Sequence, residues 1–87
     1  MEKFDVNVYG DTYPLRADTR DAVEKAAGEV DQRMRRFAQQ APSFEPLRLA
    51  VLSAVALAEE KLQLEDALAE LQRKIEGLNA FVGDNLE

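Results

Sequence analysis

Carboxylates are the most numerous reactive groups in this chain, with seventeen Asp and Glu among 87 residues. Glu59, Glu60, Glu65, Asp66 and Glu70 recur at spacings that bring acidic pairs onto one helix face, a pattern that can hold a metal between helices. Such sites normally recruit histidine as well, and the chain contains neither histidine nor cysteine. Imidazole bases, thiol nucleophiles and thiolate metal sites are therefore excluded, and the acidic residues read as a solvated helix face. Asp18 and Asp21 read as helix-capping and first-turn residues, not as ligands. Ser43 and Ser53 are the only serines, no glycine-rich phosphate loop is present, and no pocket is expected. A catalytic role and any cofactor are not expected.

Five of the eleven positively charged residues form two groups. Arg33, Arg35 and Arg36 cluster in one stretch, and Arg16 and Arg20 form a second group. A bland reading places the first cluster at a helix C-terminus, where positive charge is favoured, with Arg33 pairing to Glu29 one turn earlier. Nucleic acid is an unsuitable partner. Through Pro46 the chain has nine acidic and seven basic residues, and after it eight and four. Neither part is basic enough to neutralise a phosphate backbone. No run approaches the roughly 20 apolar residues of a membrane span, and no apolar leader follows Met1. The expectation is a cytoplasmic protein with no membrane partner.

These side chains are carried by a small α+β head and a long helix. Phe4, Val6 and Val8 alternate with Asp5, Asn7 and Tyr9, the period of a half-buried strand. Gly10-Asp11-Thr12 has turn chemistry, and Tyr13 to Ala17 reads as a second strand, at an edge because of Pro14. The hairpin spans residues 4–17. Asp18 or Thr19 caps a helix over residues 19–40, whose apolar stripe runs through Ala22, Val23, Ala26, Ala27, Val30, Met34 and Phe37. Ala41-Pro42-Ser43 is a connector, and the head occupies residues 1–46.

Pro46 suits the first turn of a second helix, predicted over 47–83 with Gly83 as the residue that ends it. That is roughly 55 Å of helix. From Leu47 to Leu62 it is apolar nearly all round, so it must pack on several sides. Further on the stripe narrows to Leu57, Lys61, Leu64, Leu68, Leu71, Ile75, Leu78 and Val82, spaced alternately by four and three. This is a heptad seam with Leu57, Leu64, Leu71 and Leu78 at d, and Lys61, Leu68, Ile75 and Val82 at a. The first helix, roughly 33 Å long, is too short to cover it. Exposed, each large seam side chain forgoes about 1.5–3 kcal/mol, so association with another copy is expected. Ile75 and Val82 at a with Leu at d favour a parallel dimer, whereas Glu60 at g facing the partner's e position opposes one.

The ordered combination of these elements resembles the ZapA family, small bacterial proteins that associate with the tubulin-like division protein FtsZ. The resemblance is carried by Val6-Asn7-Val8-Tyr9-Gly10, by Arg20-Asp21 followed by Ala26-Ala27 and Val30-Asp31-Gln32-Arg33-Met34, by Leu47 to Leu57, and by the acidic Leu-rich tail. It implies a cytoplasmic protein of the mid-cell division ring, a homodimer or a tetramer made of two dimers, whose heads bind FtsZ and crosslink its filaments. In some members basic residues at the end of the first helix and in the following loop contact FtsZ. Here that loop has no basic residue, so the implied contact falls on the nearest positive cluster, Arg33, Arg35 and Arg36, with Arg16 and Arg20, near the other end of the head, as further candidates. A generic coiled-coil adaptor for another cytoplasmic protein is the competing expectation.

Overall fold

The computed structural model describes residues 1–86 and contains four elements: strands β1 (Glu2–Val8) and β2 (Asp11–Ala17), then helices α1 (Arg20–Gln40) and α2 (Pro46–Leu86). The strands form a two-stranded antiparallel sheet in the register Phe4 to Leu15, Val6 to Tyr13 and Val8 to Asp11. The turn is the two residues Tyr9 and Gly10, with φ of 51° and 87°. Positive φ at both central positions matches the right-handed twist of the flanking strands. The turn thus lies one residue earlier than the predicted Gly10-Asp11-Thr12, and Asp11 and Thr12 belong to β2. Tyr9 accepts a conformation that local sterics disfavour, and the contacts that hold it are described below.

Thr19, not Asp18, caps α1. Its backbone is extended and its Oγ1 accepts a hydrogen bond from the Ala22 N–H at 3.3 Å, satisfying one of the first-turn donors. Asp21 follows in the first turn, near the positive end of the helix dipole. At the other end the Ala41 N–H donates to the Phe37 carbonyl at 2.8 Å. Pro46 opens α2 at a position where its missing N–H costs nothing. The helix then continues past Gly83 to Leu86.

Two compact units divide the chain, one spanning Met1–Ala56 and the other beginning at Leu57. The core of the first is small: Phe4 and Val6 from β1, Ala27 and Met34 from α1, and Leu49 with Ser53 from α2. The alternation of β1 is seen directly, with Phe4 and Val6 buried between exposed neighbours. α1 packs mainly on β1 and touches β2 less, so Tyr13 and Leu15 stay about half exposed although they lie opposite buried residues. Along α1 only Ala27 and Met34 are fully buried; Val23, Val30 and Phe37 are half-buried, and Ala22 and Ala26 are exposed. Ser53 is buried without cost to its hydroxyl, which donates to the Leu49 carbonyl at 2.7 Å. No described helix is long and apolar enough to cross a membrane.

Candidate functional site

Three surfaces emerge from this packing. The first is the set of arginines. Arg35 lies on the exposed side of α1, but its Nε donates to Asp31 Oδ2 at 2.9 Å, and its guanidinium sits 5.3 Å from the centre of the Tyr9 ring. The other oxygen of Asp31 accepts the Tyr9 N–H at 2.7 Å. One carboxylate therefore ties the hairpin turn to α1 and orients Arg35. The Arg35 hydrogen bond, followed by the Tyr9 N–H, lowers the Asp31 pKa, and the same carboxylate raises that of Arg35. This cluster holds Tyr9 in its positive-φ conformation, and nothing in the local sequence around Tyr9 announces it.

Arg20 is engaged as well. It stacks 4.9 Å from the Phe4 ring centre and lies 3.6 Å from Glu24. Arg33 is half-buried, whereas Arg16 on β2 and Arg36 on α1 are exposed. No described carboxylate forms an ion pair with either Arg16 or Arg36. The last turn of α1 contains no basic residue. Because the dipole effect fades within the final turn, it does not account for a cluster ending at Arg36. The five arginines thus occupy different environments: Arg20 and Arg35 are locked to neighbouring groups, while Arg16 and Arg36 project a charge unpaired within the described chain.

The second surface is an apolar side of the head. Leu49 and Ser53 face inward from α2, and Leu47, Val51 and Val55 are exposed on the opposite side, within roughly 80° of one another at 3.6 residues per turn. The segment predicted to be packed on several sides is thus covered on one side within its own chain. An apolar groove of about 530 Å³ adjoins it, with Tyr13, Leu15, Val30, Met34, Leu47 and Ala50 among its walls.

The third surface is the heptad seam. Leu57 is half-buried, and Leu64, Leu68, Leu71, Ile75, Leu78 and Val82 are all exposed. Leu57, Leu64 and Leu68 border a shallow depression together with Glu60, Lys61 and Glu65. Lys61, at a seam position, bonds to Glu65 of its own helix at 3.1 Å. Its aliphatic stem can remain in the seam while the ammonium reaches out. Arg73 pairs with Glu70 on the same helix. Among the described residues no group of three or more carboxylates converges closely enough to hold a metal ion.

Comparisons with known proteins agree on one family. The model described as "Cell division protein ZapA" matches residues 4–84. The cell division protein ZapA of Halalkalibacterium halodurans is 30% identical over 70 residues, which is 79% of this chain and 77% of that protein. A solved ZapA mutant dimer from Geobacillus stearothermophilus superposes with a TM-score of 0.71 at 29% identity, covering 86% of this chain and 88% of that one. A conserved bacterial protein of unknown function from Pseudomonas aeruginosa PAO1 shares the fold at a TM-score of 0.74 and 19% identity, over 99% of this chain and 97% of the other. With a family match running through hairpin, α1 and nearly all of α2, the chain belongs to the ZapA family of cell-division proteins.

Proposed function

We propose that this protein is a non-catalytic, homo-oligomeric scaffold that binds FtsZ through its heads and bundles FtsZ filaments at the cytoplasmic division ring. The observation that carries the reading is the seam of exposed leucines, isoleucine and valine from Leu64 to Val82. A single chain leaves all of it in water; a second copy covers it. The solved relative from Geobacillus stearothermophilus is a dimer, which supports self-association here. Pairing of dimers into tetramers is compatible with the same seam. Linked heads act by multivalency: weak contacts to neighbouring filaments become effective once two or more are joined.

For the head contact, charge is the guide. Arg36 and Arg16 project unpaired charge, and Arg33 and Arg35 flank Arg36 on α1. An acidic face on FtsZ would complement this surface. Co-sedimentation with FtsZ polymers tests the assignment, with light scattering as the measure of bundling. Charge reversal at Arg35 and Arg36 together should abolish co-sedimentation while the oligomer mass is unchanged. Undiminished binding would remove these residues from the contact, and wild-type protein that leaves FtsZ scattering unaltered would overturn the function itself.

A further inference from the structure

The two edges of the hairpin differ in a way the proposed function does not use. With a two-residue turn, Val8 and Asp11 form a hydrogen-bonded pair, and pairs alternate from there. The backbone groups of Lys3, Asp5 and Asn7 therefore point to the outer edge of β1, and those of Thr12, Pro14 and Arg16 to the outer edge of β2. Pro14 sits in the middle of the β2 edge and offers no N–H, which blocks strand addition there. The β1 edge has no proline, and the sheet has only two strands. Its N–H and C=O groups at Lys3, Asp5 and Asn7 form an open template.

A groove of about 760 Å³ runs beside that template, between Asp5 and Asn7 of β1 and Glu24, Gly28 and Asp31 of α1. The hydrogen bond from Tyr9 to Asp31 closes its end at the turn. Gly28 is a second, independent sign. It lies in the interior of a 21-residue helix, where glycine is unfavourable relative to alanine. A Cβ there would meet nothing within 4 Å, so no close approach inside the chain requires it. Its bareness keeps the groove floor low enough for another backbone. Three of the lining residues are acidic, and Arg35 is the one basic residue among them, already bound to Asp31. Glu24 is also in reach of Arg20, at 3.6 Å between two well-exposed side chains.

We infer that the β1 edge and the Gly28 face of α1 form a docking groove in which an extended, basic segment of another protein adds as a third strand. Main-chain hydrogen bonds supply affinity in this mode, and side chains at alternate positions supply specificity. A second copy of β1 is a poorer occupant. Antiparallel self-pairing centred on the template would place two Asp5 side chains directly opposite each other, and like charges in that position repel. The inference is independent of the FtsZ reading.

The probe is a fluorescein-labelled peptide of alternating Lys with Thr and Val, titrated into the full chain at low ionic strength, with anisotropy as the readout. Saturable binding is expected, with added amide-exchange protection at Asp5 and Asn7. Gly28→Gln fills the floor and should weaken binding by about tenfold or more while the melting temperature stays the same or rises. Asn7→Pro removes one outward N–H and should weaken binding similarly; if it does not fold, Gly28→Gln alone decides. A proline at the centre of the peptide should also abolish binding. Equal affinity for that interrupted peptide would mean charge attraction only and would overturn strand addition. Unchanged affinity of Gly28→Gln, or no saturable binding to wild type, would overturn the groove. A fall in oligomer mass on Gly28→Gln would assign the groove to a second copy instead.

Discussion

The head, Met1–Ala56, and the helix from Leu57 onward are made of similar residue types but are stabilised in opposite ways. In the head, apolar side chains from three elements are buried: Phe4 and Val6 of β1, Ala27 and Met34 of α1, and Leu49 of α2. Asp31 joins the turn to α1 across 22 positions. In the second unit the ion pairs join neighbours on one helix, such as Lys61 with Glu65 and Arg73 with Glu70. Exposed pairs of that kind contribute only about 0.3–0.5 kcal/mol each. The leucines that would supply real burial face water. The difference teaches that the head buries apolar side chains within its own chain, whereas the seam leaves its own exposed.

The sharpest way to break that comparison is at the centre of the seam. Leu71→Asp removes a side chain whose burial is worth about 1.5–3 kcal/mol from each chain of an assembly and places a carboxylate in the interface. Light scattering of the size-fractionated protein should show the mass falling to that of a single chain across a concentration series, with β-hairpin amide protection retained. A variant with wild-type mass would show that the seam does not join chains, and a wild-type monomer would remove the contrast altogether.

The reciprocal change is made in the head. Met34 is buried on α1, and Met34→Ala should cost about 2–5 kcal/mol of stability through lost burial and a residual cavity. Urea unfolding should show a lower midpoint, with near-complete loss of hairpin protection. If head and seam are as distinct as their packing suggests, isolated seam helicity at high protein concentration should fall less than the hairpin signal.

A gentler change sharpens the comparison from the other side. Gly77 lies in the second unit, away from the seam positions, and a Cβ there would meet nothing within 4 Å. Gly77→Ala should therefore stabilise the helix by about 1 kcal/mol per chain through propensity alone. Thermal unfolding followed by circular dichroism should report a higher midpoint, with oligomer mass and FtsZ co-sedimentation unchanged. A lower midpoint would mean that a neighbouring chain approaches closely at Gly77.

Much of this division was legible from periodicity. The alternation of Phe4, Val6 and Val8 marked β1, Asp18-Thr19 and Pro46 marked two helix starts, and the four-three spacing after Leu57 picked out large apolar residues that are mostly exposed. What escaped depends on distant partners or on competition between local signals. Tyr9 is a poor residue for positive φ by itself; Asp31, far along the chain, makes the turn fall there. Gly83 has the chemistry of a helix end, yet α2 continues through it to Leu86, as a glycine in an otherwise favourable run is tolerated at modest cost. The five arginines looked equivalent by charge, and only packing separated Arg20 and Arg35 from Arg16 and Arg36. The outward side of the Leu47–Leu62 segment was equally invisible, because residues apolar all round give no phase.

The smallest expected effect isolates the link between turn and helix. The pKa of Asp31 is lowered first by its hydrogen bond with Arg35 and then by the Tyr9 N–H. A carboxyl with a depressed pKa in the folded state contributes stability that is fully present above its ordinary, unfolded value. That contribution is lost as pH falls from there through the folded value. Arg35, with its pKa raised, remains charged throughout this range, so the window belongs to Asp31. In Asp31→Asn the amide oxygen can still accept the Tyr9 N–H, but the ion pair with Arg35 is gone. Melting temperatures of wild type and Asp31→Asn should therefore differ by a constant amount near neutral pH and converge as pH drops below the usual aspartate range of about 4. The amide protection of Tyr9 should weaken in parallel in the wild type. If the two curves stay parallel into acid, the carboxylate charge does not hold the turn, and Tyr9 owes its conformation to Gly10 and the strand twist alone.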